Sequence, residues 1–218
     1  MEQVKQTIRF EYEAQYHLSQ EPTFDEEEIW LVLHGYGQLA EFFVRKFHPF
    51  FSPKRLFVAP EATNHHYRQG FQGRVGANWM TRHERETAIA NNHRFLDALL
   101  GQILDKYPSK PTVHVLGFSQ GAATATRWAS RWQGKIATLV LWAGGFALDM
   151  SLECAKEAFA ETQLILALGD RDELITPDQL QKQEDLISSL NKEILRYSFA
   201  GGHELDAELL EKIINQKK

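Results

Sequence analysis

One stretch constrains this chain more than any other: Leu116-Gly117-Phe118-Ser119-Gln120-Gly121-Ala122. It follows a run of β-forming residues, Pro111-Thr112-Val113-His114-Val115-Leu116, and precedes a helical pattern from Ala123 to about Trp132. A G-x-S-x-G placed between a strand and a helix predicts a turn so tight that the serine is strained and its hydroxyl stands exposed. Residues two before and two after that serine must be small, as Gly117 and Gly121 are, and Ala122 lets the helix sit close to the strand. The bland alternative is a plain strand-to-helix turn. The functional one makes Ser119 a nucleophile, and the rest of the chain has to decide between them.

A chain of 218 residues fits a single α/β domain spanning 1–218 and leaves little room for a second. An apolar content of 43% suffices for an ordinary core. The formal charge of −5, with no dominant basic stripe, argues against nucleic acid as a partner. No apolar run approaches the roughly 18 residues that span a bilayer. Met1-Glu2-Gln3-Val4-Lys5 lacks the apolar core of a secretory signal. The single cysteine, Cys154, rules out an internal disulfide and makes a cytoplasmic setting the default. It falls in a predicted helix over 151–159 and reads as a packing residue.

Buried strands are expected at Ile29–Leu33, Arg55–Ala59, Pro111–Leu116, Ile136–Trp142, Leu164–Leu168 and Glu193–Phe199, each a largely apolar run between helical patterns. Residues 4–18 alternate apolar and polar side chains, which predicts an edge strand or bent hairpin with one wet face. Residues 61–80 show no period and read as a long loop, punctuated by Gly70, Gly73 and Gly76. From Ala62 to His83 there is no acidic residue, but there are Arg68, Arg74, Arg82 and three histidines. That segment is either a solvated basic loop or a selector of anionic substrates. Thr81-Arg82-His83-Glu84 has capping-box spacing ahead of a long helix, and Thr176-Pro177 should start another. Strands alternating with helices imply a mostly parallel sheet of about seven strands, covered on both faces, with no space for a large lid domain.

In such a sheet, functional groups gather where the strands end. Four groups fall there: His34-Gly35-Tyr36-Gly37, Ser119, the pair Asp170/Asp172, and His203. A serine nucleophile needs a base, and the base needs an orienting carboxylate, in the chain order Ser, acid, His. Of nine histidines only His203 follows Ser119, and it lies on a glycine-rich turn directly after a strand. Asp170 and Asp172 both lie between the two at a strand end, and position alone does not choose between them. A developing oxyanion needs two backbone N–H donors. Gln120, after the serine, supplies one, and Tyr36, between two glycines, is the candidate for the other.

These residues resemble the phospholipase/carboxylesterase family of α/β hydrolases, which includes acyl-protein thioesterases. Leu33-His34-Gly35-Tyr36-Gly37 is similar to its L-H-G-x-G, Gly117-Phe118-Ser119-Gln120-Gly121 to its G-F-S-Q-G, Gly169–Ile175 to its G-x-x-D-x-x-V, and Gly202-His203-Glu204 to its G-H-x. The resemblance implies the α/β-hydrolase fold and a Ser119–Asp172–His203 triad, choosing Asp172 over Asp170. It further implies a hole formed by the Tyr36 and Gln120 amides, and hydrolysis of a small-molecule ester or thioester without cofactor or metal. Trp79, Phe118 and Leu174 are then the expected pocket residues. Gln38, Met80-Thr81 and Leu168-Gly169 depart from the family pattern around the substrate. Two rival readings have signatures of their own. Gly35-Tyr36-Gly37-Gln38-Leu39-Ala40 fits G-x-G-x-x-A, a dinucleotide-binding fingerprint of an oxidoreductase, with Glu61 as ribose ligand. A non-catalytic binding domain on a hydrolase fold is the other. Oligomeric state has no signature in the sequence.

Overall fold

The computed structural model describes residues 3–216. In chain order the strands are β1 (Tyr16–Leu18), β2 (Glu28–Leu33), β3 (Arg55–Pro60), β4 (Asn64–Gln69), β5 (Gln72–Asn78), β6 (Thr112–Phe118), β7 (Thr138–Trp142), β8 (Gln163–Gly169) and β9 (Ile194–Phe199). The helices are α1 (Ala40–Val44), α2 (Arg85–Leu104), α3 (Gln120–Ala129), α4 (Leu152–Ala158), α5 (Pro177–Leu190) and α6 (Ala207–Ile214). Seven strands form one sheet in the order β1-β3-β2-β6-β7-β8-β9. All neighbours in it are parallel except β1, which runs antiparallel to β3.

The apolar runs become strands because each has two faces to bury. Along β2, Ile29, Leu31 and Leu33 enter a core shared with α2, α3 and α5, while Trp30 and Val32 enter another shared with α1 and α6. All five side chains are almost wholly buried. Helices therefore cover both faces, and the connection from β7 to β8 holds only α4, with no large lid. Among the described residues no helix is long and apolar enough to cross a membrane.

Four local expectations fail. Of residues 4–18 only Tyr16–Leu18 pair with a neighbour. Upstream of them, Gln15 O accepts from Glu61 N–H, and residues 4–14 make no backbone pairing with the sheet. Val4, Ile8 and Phe10 are left more than three-quarters exposed, with no strand to complete their alternation. Second, the 61–80 segment is a two-stranded hairpin, β4–β5, reversed by Gly70 and Gly73 at φ 59° and 89°. Its side chains are wet on both faces over most of its length, which removes any apolar period. Third, Thr81 does not cap α2: its hydroxyl donates to His83 O, and the helix starts after Glu84 in left-handed backbone (φ 52°). Fourth, Cys154 points to solvent rather than into the core. The start of α5 does follow the sequence: Thr176 Oγ1 accepts from Gln179 N–H, and Gln179 Oε1 accepts from Thr176 N–H.

Candidate active site

Gly117 and Gly121 are glycines because nothing larger fits. A Cβ on Gly117 would lie 2.5 Å from Ala122 Cα, and one on Gly121 would lie 2.3 Å from Leu33 O. The strand-to-helix crossing is therefore pressed against the end of β2. Between them Ser119 sits at φ 54°, ψ −118°, its N–H donating to Trp142 O on β7 at 2.8 Å. This is the strained turn that the spacing of the motif predicts.

Three side chains from three strand ends form one hydrogen-bonded chain. Ser119 Oγ is 2.8 Å from His203 Nε2, and His203 Nδ1 is 2.8 Å from Asp172 Oδ2. Asp172 is almost completely buried and accepts a second bond from Leu174 N–H through Oδ1. An ionised Asp172 can only accept, so Nδ1 carries the proton and Nε2 faces the serine hydroxyl as an acceptor. Asp170, the other carboxylate in question, accepts from Gly201 N–H and steadies the loop that bears His203. The Trp142 indole N–H donates to Glu204 O and fixes the far end of that loop.

The Tyr36 side of the site is held differently. A Cβ on Gly35 would lie 3.2 Å from Ser119 Cβ, so the backbone passes close to the serine. Gln38 Oε1 accepts from Gly35 N–H, and Gly37 N–H donates to Ala77 O on the hairpin. Ala77 N–H returns a bond to Gln38 O, and Gly76 lies so near that its Cβ would be 2.5 Å from Gly37 O. Tyr36 N–H and Gln120 N–H make no hydrogen bond to protein among the described residues. Two donors close to Ser119 are thus uncommitted. The Tyr36 ring is exposed and rests against His66.

His34, inside the L-H-G-x-G stretch, is a structural group. It is buried, takes Ala62 N–H on Nε2 and donates from Nδ1 to Gly35 O. Burial pushes its pKa down, against the opposing bond to Gly35. Glu61 accepts from Ala40 N–H at the start of α1 and contacts His65, so the carboxylate of the dinucleotide reading is already engaged.

A cavity of about 380 Å³ opens from Ser119 and His203. It lies between α5 and the ends of β8 and β9, with Leu148, Leu166, Leu168, Leu174, Ile175 and Leu180 on its walls. Of the three expected pocket residues, only Leu174 lines it. Trp79 is fully buried: its indole N–H donates to His34 O and its N–H to Gln120 Oε1. Phe118 is buried beneath His203, with ring centroids 5.1 Å apart. Both support the site from behind.

Two positioning residues were not recognised in the sequence. The Gln120 side chain ties α3 to the Trp79–Met80 backbone, donating to Met80 O. Gln183 Oε1 accepts from Phe146 N–H and Gln183 Nε2 donates to Phe146 O, pinning α5 over the loop after β7. A signal for the second was present: Gln183 is a polar residue on the helical stripe completed by Leu186, Ile187 and Leu190.

A mostly parallel seven-stranded sheet with an elbow after its central strand is the α/β-hydrolase fold. The sequence profile of the phospholipase/carboxylesterase family matches residues 16–216, and the chain belongs to that family. Comparison with curated protein sequences finds no match. Among solved structures, the esterase PE8 is similar at 20% identity and a TM-score of 0.70, over 93% of this chain and 97% of that one. Acyl-protein thioesterase 2 of Zea mays is similar at 18% identity and a TM-score of 0.69, over 93% and 96%. A phospholipase/carboxylesterase of Dyadobacter fermentans is similar at 18% identity and a TM-score of 0.70, over 95% and 99%.

Proposed function

We propose that this protein is a serine hydrolase that cleaves carboxylic ester or thioester bonds of small molecules through an acyl-enzyme. The observation that carries the reading is the unbroken Asp172–His203–Ser119 chain, 2.8 Å at each link to the imidazole. As the Ser119 hydroxyl attacks the carbonyl carbon, His203 Nε2 takes its proton. The negative charge that develops on the carbonyl oxygen is met by the N–H groups of Tyr36 and Gln120. Collapse of the tetrahedral intermediate breaks the ester bond, with His203 returning the proton to the leaving oxygen or sulfur. Water then attacks the acyl-Ser119 ester by the same route, His203 again acting as base and then acid. Asp172 holds the imidazole tautomer and stabilises the imidazolium.

A fluorophosphonate probe should label Ser119, and Ser119→Ala should abolish labelling and lower kcat on simple esters by about 10⁵-fold with the fold retained. Folded native protein that is neither labelled nor active would make this a binding domain on a hydrolase scaffold. Near-normal turnover in Ser119→Ala would remove the mechanism.

A further inference from the structure

The cavity has a direction. Gly117, Leu141, Leu166 and Arg196 stand side by side on four successive parallel strands, β6 to β9. Ser119 lies just past one end of that row, and Arg196 is at the other, on the edge strand of the sheet. Three strand spacings of about 4.8 Å separate them, roughly 14 Å. The cavity joins the same two ends beneath α5, running from Ser119 past Gly144 and Gly145, just beyond β7, with Leu166 and Leu168 of β8 on one side and Leu180 and Gln183 of α5 on the other. Before its far end the walls carry no charged side chain apart from the His203 imidazole, and the Gln183 amide is spent on the Phe146 backbone. There Glu184 on α5 and Arg196 on β9 both line it and pair at 2.8 Å, each about half exposed.

Resting on the hydrolase reading above, we propose that the substrate carries an unbranched aliphatic arm of about eight carbons, laid past the end of β7 and over β8 beneath α5. The Glu184–Arg196 pair sets where that arm stops. A zigzag chain built from C–C bonds of about 1.5 Å advances roughly 1.25 Å per methylene, so eight carbons cover about 10 Å. The side chains at both ends take up the remainder. Each methylene inside the apolar walls leaves water, worth about a fourfold gain in kcat/KM. A methylene that reaches the ion pair gains nothing, because it either strips water from two charges or emerges into solvent. The pair is exposed and adds little to stability. Its effect is on the polarity of the far end.

The test is kcat/KM across two homologous series below their micelle concentrations: straight-chain acyl esters of one alcohol, and acetate esters of straight-chain alcohols. In the series whose chain enters the cavity, kcat/KM should climb about fourfold per carbon to about eight carbons and then level off. In the double variant Glu184→Leu/Arg196→Leu the climb should continue for two or three further carbons, raising the ratio for twelve- over six-carbon substrates at least tenfold. The exchanged pair, Glu184→Arg/Arg196→Glu, keeps opposite charges at the same place and should keep the native break. Absence of a break up to twelve carbons in both series would overturn the proposal. So would a break that stays put in the double leucine variant, or one that moves equally in the exchanged pair. In each case fluorophosphonate labelling of Ser119 in the same preparations separates the outcomes. Labelled protein without the expected break defeats the chain-length proposal alone, whereas native protein that is neither labelled nor active defeats the hydrolase reading beneath it.

Discussion

The half-sheet β6–β9 carries Ser119 and the hairpin β4–β5 holds the Tyr36 loop beside it, and the two are held in place by different forces. The strands of the half-sheet lie between two apolar cores, with Val115, Leu116, Leu139 and Val140 fully buried. Burying such a side chain is worth about 1.5–3 kcal/mol. Most hairpin side chains are wet, and Phe71 at its tip is almost wholly exposed. Apart from the His66 ring against Tyr36, the hairpin meets the Tyr36 loop through backbone: two bonds between Ala77 and residues 37–38, and the contact of Gly76 with Gly37. Each backbone bond adds only about 0.5–1.5 kcal/mol net. The comparison teaches that packing fixes the proposed nucleophile and base, whereas a lightly held ribbon sets the position of the proposed oxyanion donor.

That division can be broken at graded depth. Asp172→Asn strikes the packed half at its chemistry. It should lower kcat on the order of 10³–10⁴-fold by disfavouring the working tautomer of His203, without moving the unfolding midpoint measurably. Gly76→Ala strikes the hairpin where it has no room. Displacement of the Tyr36 loop should cost on the order of 10²-fold in kcat, with KM changed far less, because the lost donor acts on the transition state. Unaltered kcat in Gly76→Ala would mean that the hairpin does not position the hole.

Smaller again is an electrostatic effect in the packed half. Asp149, in the loop after β7, lies between Arg127 on α3 and Arg85 at the start of α2. Partial burial pulls its pKa up, but hydrogen bonds from the two arginines outweigh this and hold it at about 2. A depressed folded-state pKa stabilises above the ordinary carboxylate range, and the contribution is lost as pH falls from about 4 through about 2. Urea midpoints of the native protein should therefore decline more steeply between pH 5 and pH 2 than those of Asp149→Asn. Because the carboxylate is partly exposed, the difference is modest. The smallest effect is expected at the hairpin tip: Phe71→Ser should change stability by less than about 0.5 kcal/mol and leave kcat on soluble esters intact.

What the sequence made legible follows the same divide. Buried parallel strands must be apolar on both faces, so six of them stand out as runs, and chain order then brings Ser119, His203 and one of two aspartates to strand ends on one side of the sheet, the family resemblance choosing Asp172. The hairpin escaped because its strands bury almost nothing and leave no period to read. Residues 4–15 misled in the opposite way, with a clean alternation and no neighbour to satisfy it. The capping-box spacing at Thr81 was undone by Glu84, whose left-handed backbone moves the helix start beyond the threonine's reach. Trp79 is expected near the pocket only through its likeness to the tryptophan that the family places before its long helix. Its indole N–H found a buried carbonyl instead, which no local pattern announces.

The apposition of Gly121 with the Leu33 and His34 carbonyls carries a consequence for how such an enzyme can change. It makes the serine turn and the root of the Tyr36 loop a single joint, so neither can drift without carrying the other. New substrate preferences must then arise elsewhere. The available ground is α5 and the Leu174–Ile175 turn, which border the cavity but not the joint. A laboratory selection for altered chain length should accordingly collect its substitutions along one helix and one turn, and leave Gly35, Gly117 and Gly121 untouched.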